Sequence, residues 1–387
     1  MYYFLIVLVL LTVLNGVFLV WCVYGWKKLK TIHAHANNNK TFVSVIVPAR
    51  NEEENISDCL YDILRQNYPI TGFEVIVSDD HSTDGTVEKV RIIMNEFPDH
   101  RIRLISNEQN AGVRYKKQAI SAAVHQAIGE LIVTTDADCR MSPRWLQAIV
   151  GHYEKEQPDM IAGPVCYDRE KNMFEKMQGL EFSGLVGIGA GTLSNRMPMM
   201  CNGGNLAYSK KIFQQVSGFT DKTDFVSGDD TQLMLKIAKI DPSRIHFLKS
   251  PDAVVYTTAV NSLSGFIHQR KRWASKIPFA MNAFTVAIAA NAYLLHIGLL
   301  ILFVCAFFRH GLISSFLLLL FIKGLPEIWL LSNVNSFFKK KNRLWLFLPA
   351  QIFYLFYISF IGAVSVSGSY TWKERKIKPT AVKLPVS

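Results

Sequence analysis

Apolar residues run along this chain in two different ways. Residues 1–26 carry no charged side chain, and residues 277–331 carry only Arg309, Lys323 and Glu327. A helix rises about 1.5 Å per residue and needs about 30 Å to cross the hydrocarbon layer, so 1–26 predicts one membrane helix. The runs 279–308, 312–331 and 344–366 are each long enough for another. Between these blocks, over roughly 40–275, acids return and the apolar runs become short and β-branched. The runs 42–47, 73–77, 102–105 and 131–133 predict strands. Helices are expected after the glutamates of 51–55, from about Thr83-Asp84 where capping residues gather, and over 113–128. Strand and helix in alternation predict βαβ units and a mostly parallel sheet. The expected fold is therefore an α/β domain with one N-terminal and two to three C-terminal membrane helices.

Charge adds orientation. Among 387 residues there are 42 Lys+Arg against 31 Asp+Glu, a formal net charge of +11. The basic clusters (27–30, 270–276, 339–343 and 373–378) all stand beside apolar runs. That placement suits membrane orientation and anionic lipid, and argues against nucleic acid, whose binders carry a basic face on a soluble domain. The first charges follow the first apolar run, which predicts a signal anchor with its N-terminus outside, not a cleaved signal. The polar domain would then be cytoplasmic, and two crossings would return the chain to the cytoplasm at 339–343. A third full crossing would leave the basic tail outside, so 344–366, interrupted by Pro349, is expected to be re-entrant or interfacial. Lys323 and Glu327, four apart, are expected to neutralise each other on one helix face. The organisation predicted is an anchor (1–26), a basic and polar linker (27–40), a cytoplasmic domain (41–276), membrane segments (277–368) and a basic tail (369–387). No motif addresses oligomeric state.

Candidate chemistry lies in acids at strand ends. In parallel sheets ligands bind beyond the carboxyl ends of the strands. There stand Asp79-Asp80 after the second predicted strand, and Asp136 and Asp138 after the fourth. Alternate aspartates offer hard oxygens to Mg²⁺ or Mn²⁺, ions commonly shared with substrate phosphates. No glycine-rich dinucleotide or P-loop motif follows the first strand. The six cysteines are scattered without a CxxC pair and are expected to be buried thiols with no metal role. No histidine spacing suggests a metal site.

These pieces resemble a known family. VSVIVPARNEE (43–53), SDDHSTDGT (78–86), TDADC (135–139), CNGGNLAYSK (201–210), SGDDTQL (227–233) and QRKRW (269–273) stand in the order found in membrane-anchored family-2 glycosyltransferases with a GT-A (Rossmann-like) domain. The C-terminal PAQIFYLFYISF…SYTWKERK is similar to ceramide-glucosyltransferase-like and hopanoid-associated members, with Glu374 where those have glycine. The resemblance implies inverting, metal-dependent transfer from a nucleotide-diphospho-sugar to a lipid, lipid-linked or glycan acceptor at a bacterial-type inner membrane. A processive polysaccharide synthase that also exports its product is the alternative. It further implies that Pro48, Ala49, Glu52, Asp79 and Asp80 form the nucleotide pocket. Asp136 would contact the donor and, with Asp138, the metal (Mg²⁺ or Mn²⁺). Asn202, Gly203, Gly204 and Asn205 would wall the acceptor side. Asp230 would be the general base, with Asp229 beside it, and Gln269, Arg272 and Trp273 would engage diphosphate and acceptor.

Overall fold

The computed structural model describes residues 1–34, 40–106, 116–219, 229–274, 282–365, 370–372 and 375–377. The four expected strands are present as β1 (Val43–Ala49), β2 (Phe73–Asp79), β3 (Ile102–Ser106) and β4 (Leu131–Thr134). Helices α2 (Ile56–Leu64), α3 (Thr86–Glu96) and α4 (Lys116–Gln126) join them, with 113–115 of the third expected helix outside the described residues. All pairs within β3-β2-β1-β4 are parallel, with Val45 opposite both Val75 and Val133. Side chains of β1, β2 and β4 are buried on both faces almost throughout, which explains why these strands read as largely apolar runs, whereas the edge strand β3 is only partly buried.

Beyond β4 the sheet departs from the expected pattern. It continues through β8 (Leu206–Ser209), β6 (Met160–Ala162) and β9 (Ile245–Phe247), and β8 is antiparallel to both neighbours. A second sheet joins β5 (Arg140–Met141), β10 (Val255–Thr258) and β7 (Val165–Asp168). Helices α5 (Trp145–Glu156), α6 (Met173–Ser194), α7 (Lys210–Gln215), α8 (Asp229–Ala238) and α9 (Leu263–Ala274) complete the domain. The long α6 starts in a reciprocal cap: the Asn172 side chain accepts from Glu175 N at 2.9 Å, and Glu175 accepts from Lys171 N at 2.6 Å.

Among the described residues four helices are long and apolar enough to cross a membrane: α1 (Tyr2–Lys28), α10 (Ala283–Phe308), α11 (Leu312–Phe337) and the stretch Lys341–Val364, most of which is α12 (Phe347–Ser365). The first extends two residues past the expected anchor. It also packs directly on the domain, because an added Cβ at Gly25 would overlap the Gly191 carbonyl and one at Gly191 would overlap Cys22. Phe18, Leu19, Cys22, Val23 and Trp26 share one apolar core with Ile46, Ile76 and Ile132 of the sheet. The stretch expected as a linker is docked where it is described: Ile32 N donates to Lys249 O (3.0 Å) and Ala34 N to Asp252 Oδ2 (2.9 Å).

Helix α12 follows an unusual path. Its first residue, Phe347, lies beside Gly324, midway along α11, and Gln351 accepts from Lys323 at 2.8 Å. It then runs antiparallel to α10, with Phe356 near Phe303 and Gly362 against the Tyr293 ring. The chain beyond it packs at β11 (Tyr370–Trp372) against α9 of the polar domain, and β11 pairs with β12 (Arg375–Ile377). The helix thus returns the chain to the polar domain, and by length and composition Lys341–Val364 is apolar enough to cross a membrane. Lys373, Glu374 and the tail beyond Ile377 lie outside the described residues. Lys323 and Glu327 meet at 2.8 Å with Lys323 fully buried, the self-neutralised pair expected. The basic loop is held by the domain: Lys340 pairs with Asp168 (2.9 Å) and the buried Arg343 with Glu170 (2.7 Å).

Candidate active site

Three polypeptide ends meet beyond the carboxyl end of β4. Thr135 N extends the β1 ladder by donating to Ile46 O (3.2 Å), so Asp136 leaves the sheet edge at a fixed place. Thr134 Oγ1 donates to Gly203 O (3.1 Å) and Thr135 Oγ1 to Gly204 O (2.9 Å), binding the 202–204 turn to that edge. From the other side Gly203 N donates to Asp230 Oδ2 at 2.9 Å, while Thr231 N donates to Asp230 Oδ1 at 2.7 Å. Asp230 thus sits in the first turn of α8, where the helix dipole favours a carboxylate. An added Cβ at Gly204 would stand 3.2 Å from Asp136 Oδ2, and one at Gly203 3.4 Å from Asp230 Oδ2. The two glycines are therefore the spacer that lets two carboxylates approach one another from separate elements.

Asp138 comes from the turn after Asp136 and accepts from Thr257 Oγ1 of β10 at 3.1 Å. One ligand atom each from Asp136, Asp138 and Cys139 lies within 4.8 Å of the others. Burial, reinforced by Asp138 and Asp136, pushes the Cys139 thiol well above its ordinary value, which leaves the two carboxylates as the donors suited to a hard divalent cation. Cys59 is pushed up in the same way, and its thiol donates to Asp136 O (3.5 Å). The cysteines are not all buried: Cys201 and Cys305 are only partly so.

A cavity of about 820 Å³ opens over these acids. Asp136, Asp138, Asn202, Gly203 and Asp230 line it, as do Gln269, Arg272 and Trp273 of α9. Val286, Ala289, Ala290, Ile358, Ile361 and Gly362 of α10 and α12 form the far, apolar end. Acids well separated in sequence therefore do converge in one space with room for a sugar, and that space reaches the membrane helices.

Other expected residues stand apart from this cavity. Pro48, Ala49, Asp79 and Asp80 occupy the carboxyl ends of β1 and β2, where Asp80 N donates to Ala49 O at 2.9 Å. Asp79 accepts from Ser82 N and so closes the turn after β2, with His81 held at φ 59°. Glu52 begins the loop before α2, with its N–H donating to Thr86 Oγ1 (2.8 Å). Asn205 corrects the sequence reading. Its buried side chain accepts from Trp145 Nε1 (3.0 Å) and donates to the carbonyls of Pro164 (2.9 Å) and Ala253 (2.8 Å), so it braces the two sheets and takes no part in the acceptor wall. The Asp229 side chain lies outside the described residues.

Sequence reasoning missed two cavity residues, Glu181 and Arg270. Glu181 was legible as the single charged residue in the glycine-rich stretch 179–194, and Arg270 stands inside QRKRW. Arg270 is almost fully buried, lies 4.6 Å from the Phe266 ring and 4.2 Å from the Trp273 ring, and pairs with Glu181 at 2.7 Å. Burial opposes its charge, but the Glu181 carboxylate outweighs that and raises the Arg270 pKa. It is therefore not a headgroup-binding residue.

Comparison with known proteins agrees with this geometry. The family model "Glycosyl transferase family 2" matches residues 44–217, and "Glycosyl transferase family group 2" matches 131–358. The chain is 35% identical over 124 residues to glycosyltransferase AglE of Haloferax volcanii, covering 32% of this chain and 39% of that protein. It is 24% identical over 209 residues to the dolichyl N-acetyl-alpha-D-glucosaminyl phosphate 3-beta-D-2,3-diacetamido-2,3-dideoxy-beta-D-glucuronosyltransferase of Methanococcus voltae, covering 51% and 62%. The chain thus spans less than two thirds of either relative. The fold is similar to mannosyltransferase PcManGT of Pyrobaculum calidifontis, solved with GDP-Man and Mn²⁺, at a TM-score of 0.56 and 19% identity over 94% of this chain and 96% of that one. The group model matches well over half of the sequence; the chain belongs to the family-2 glycosyl transferases and is a membrane-associated glycosyltransferase.

Proposed function

We propose that this protein transfers a sugar, with inversion, from a nucleotide-diphospho-sugar to a lipid or lipid-linked acceptor at the cytoplasmic face of the membrane. The observation that carries the reading is the single cavity running from Asp136, Asp138 and Asp230 to the apolar faces of α10 and α12. A soluble acceptor has no use for a wall of Val286, Ala289 and Ile361, whereas a lipid chain buried there is stabilised by roughly 0.8 kcal/mol per CH₂. The Methanococcus relative is named for a dolichyl-phosphate-linked sugar, which supports the same acceptor class. The docking of the basic loop on Asp168 and Glu170 supports placing the loop and the domain on one side of the membrane, the cytoplasmic side by the positive-inside rule.

In this reading the nucleotide lies over the ends of β1 and β2, with Asp80 toward the base and Asp136 toward the sugar. Asp230 accepts the proton of the incoming acceptor hydroxyl, the task of a general base. Attack on the face opposite the departing diphosphate inverts the anomeric carbon, since no second carboxylate acts as a covalent nucleophile. Arg272, across the cavity, offsets charge developing on the diphosphate. Asp138 and Asp136 would hold Mg²⁺ or Mn²⁺, which supplies further neutralisation of that charge; the hard oxygens and the glycine-204 clearance beside Asp136 fit such an ion. Gln269 and Trp273 orient the acceptor at the boundary between the polar and apolar ends.

The test is a screen of nucleotide-sugars with the full chain in lipid nanodiscs, polar and apolar lipid extracts, and Mg²⁺ or Mn²⁺. One sugar added per lipid acceptor with inverted anomeric configuration is expected. Transfer only to soluble acceptors would refute the reading, and a ladder of products would favour the processive synthase.

A further inference from the structure

Helix α9 carries three residues at i, i+3 and i+4, Gln269, Arg272 and Trp273, and all three line the cavity. Such residues share one helix face, and each residue advances about 100° around the axis. Small rotations of α9 would therefore move all three together, so something must fix its azimuth. Arg270 does, from the flank of that face. Its guanidinium lies between Phe266 and Trp273, bonds the Gln269 side chain, and meets Glu181 of α6 at 2.7 Å through Nη2 and at 3.2 Å through Nε. The other Glu181 oxygen accepts from Tyr357 Oη of α12 at 3.1 Å. Tyr357 in turn packs on Phe266, 5.1 Å between ring centres, and stacks on Phe353 at 5.6 Å.

We propose that Glu181 is a positioning residue for glycosyl transfer: one carboxylate pins Arg270, and with it the face of α9 that meets the substrates, to the membrane helix that forms the apolar end of the cavity. A cation buried to this extent cannot swing free without losing its counter-charge, so the orientation of Gln269, Arg272 and Trp273 is set by Glu181. Tyr357 makes the same carboxylate answer to α12. A lipid chain seated between α10 and α12 therefore bears on the geometry at the diphosphate end without touching it. The kinetic part of this inference rests on the glycosyl-transfer reading above.

The test uses the full chain in nanodiscs. Glu181→Gln keeps the size of the side chain and an acceptor for Tyr357, but removes the charge facing Arg270. Misplaced catalytic groups cost on the order of 10²-fold in rate, so kcat is expected to fall by about that factor with the donor KM within about threefold, measured well below a thermal midpoint that the buried, unpaired Arg270 lowers. The double variant E181Q/R270Q should lose far less than the product of the two single losses, because the ion pair is common to both changes. Multiplying losses, or a wild-type kcat in E181Q, would overturn the inference. Independently of any substrate, amide exchange over Leu263–Ala274 should rise about tenfold in E181Q while that of Trp145–Glu156 stays constant. If wild-type protein transfers no sugar, the functional reading fails alone; unchanged exchange over 263–274 overturns the positioning role in either case.

Discussion

Replacing Asp230 by Asn tests the proposed chemistry most directly, because the structure separates two consequences of the change. Asp230 accepts one backbone N–H at each oxygen, from Gly203 at 2.9 Å and from Thr231 at 2.7 Å. Asparagine has one acceptor oxygen, so one of these donors must face an amide NH₂. A lost hydrogen bond to a charged group costs about 1.5–3 kcal/mol. That is small beside a domain stability of roughly 5–15 kcal/mol, so the protein should remain folded with a lowered thermal midpoint. The catalytic consequence is larger. Loss of a general base typically costs 10²–10⁴-fold, or about 2.7–5.5 kcal/mol on the barrier. The expected result in a radiolabelled-sugar assay is transfer at or below about one hundredth of wild type, with calorimetric binding of UDP or GDP plus Mn²⁺ within about threefold. Transfer within about fivefold of wild type would remove Asp230 from the mechanism. Nucleotide binding lost in step with transfer would refute it differently, assigning Asp230 to support of the 202–204 turn.

Asp138→Asn should abolish the heat of Mn²⁺ binding measured with nucleotide diphosphate present, whereas Asn202→Ala should retain it. Gly191→Leu, which forces a side chain into the Cys22 backbone, should separate α1 from α6; overpacking costs about 1–3 kcal/mol, visible as a lower melting temperature and faster proteolysis near residue 30. Arg343→Met leaves the buried Glu170 facing only Lys340 at 3.9 Å and should destabilise by up to about 3 kcal/mol in denaturation of the reconstituted protein. Burial, with the His246 charge next, pushes His152 down to about 4 from 6.5. Since the unfolded chain then binds more protons, this contribution is intact above pH 6.5 and is lost as pH falls toward 4; it amounts to about 3 kcal/mol at most. His152→Phe should flatten the loss of melting temperature between pH 7 and 4.5, and an unchanged slope would count against the argument.

What the sequence made legible was what a local pattern can encode. The strands Val43–Ala49 and Phe73–Asp79 are buried on both faces and so announce themselves as β-branched apolar runs, interrupted by Ser44 and Glu74. Asp136 and Asp138 were found because they follow such a run directly. Asp230 and QRKRW were placed by family resemblance, since nothing local reveals that the 202–204 turn bridges β4 and α8. The antiparallel β8 was unreadable for the same reason: LAYS is a short run whose direction depends on where α6 releases the chain. Asn205 was misread because its partners, Trp145, Pro164 and Ala253, lie 40 to 60 residues away. Glu181 carried a signal, one acid in a glycine-rich helix, but its meaning needed Arg270 and Tyr357 beside it.

The shared core of α1 and the sheet has a practical and a kinetic consequence. Phe18, Cys22 and Trp26 are part of the hydrophobic interior that also contains Ile132 and Leu206, so cutting the chain at 27–40 to obtain a soluble enzyme would open an apolar wound instead of releasing a domain. A catalyst bolted down in this way cannot lift off to collect its partner. If its acceptor is the lipid proposed above, the search becomes a two-dimensional one, governed by surface density in the leaflet and not by bulk concentration.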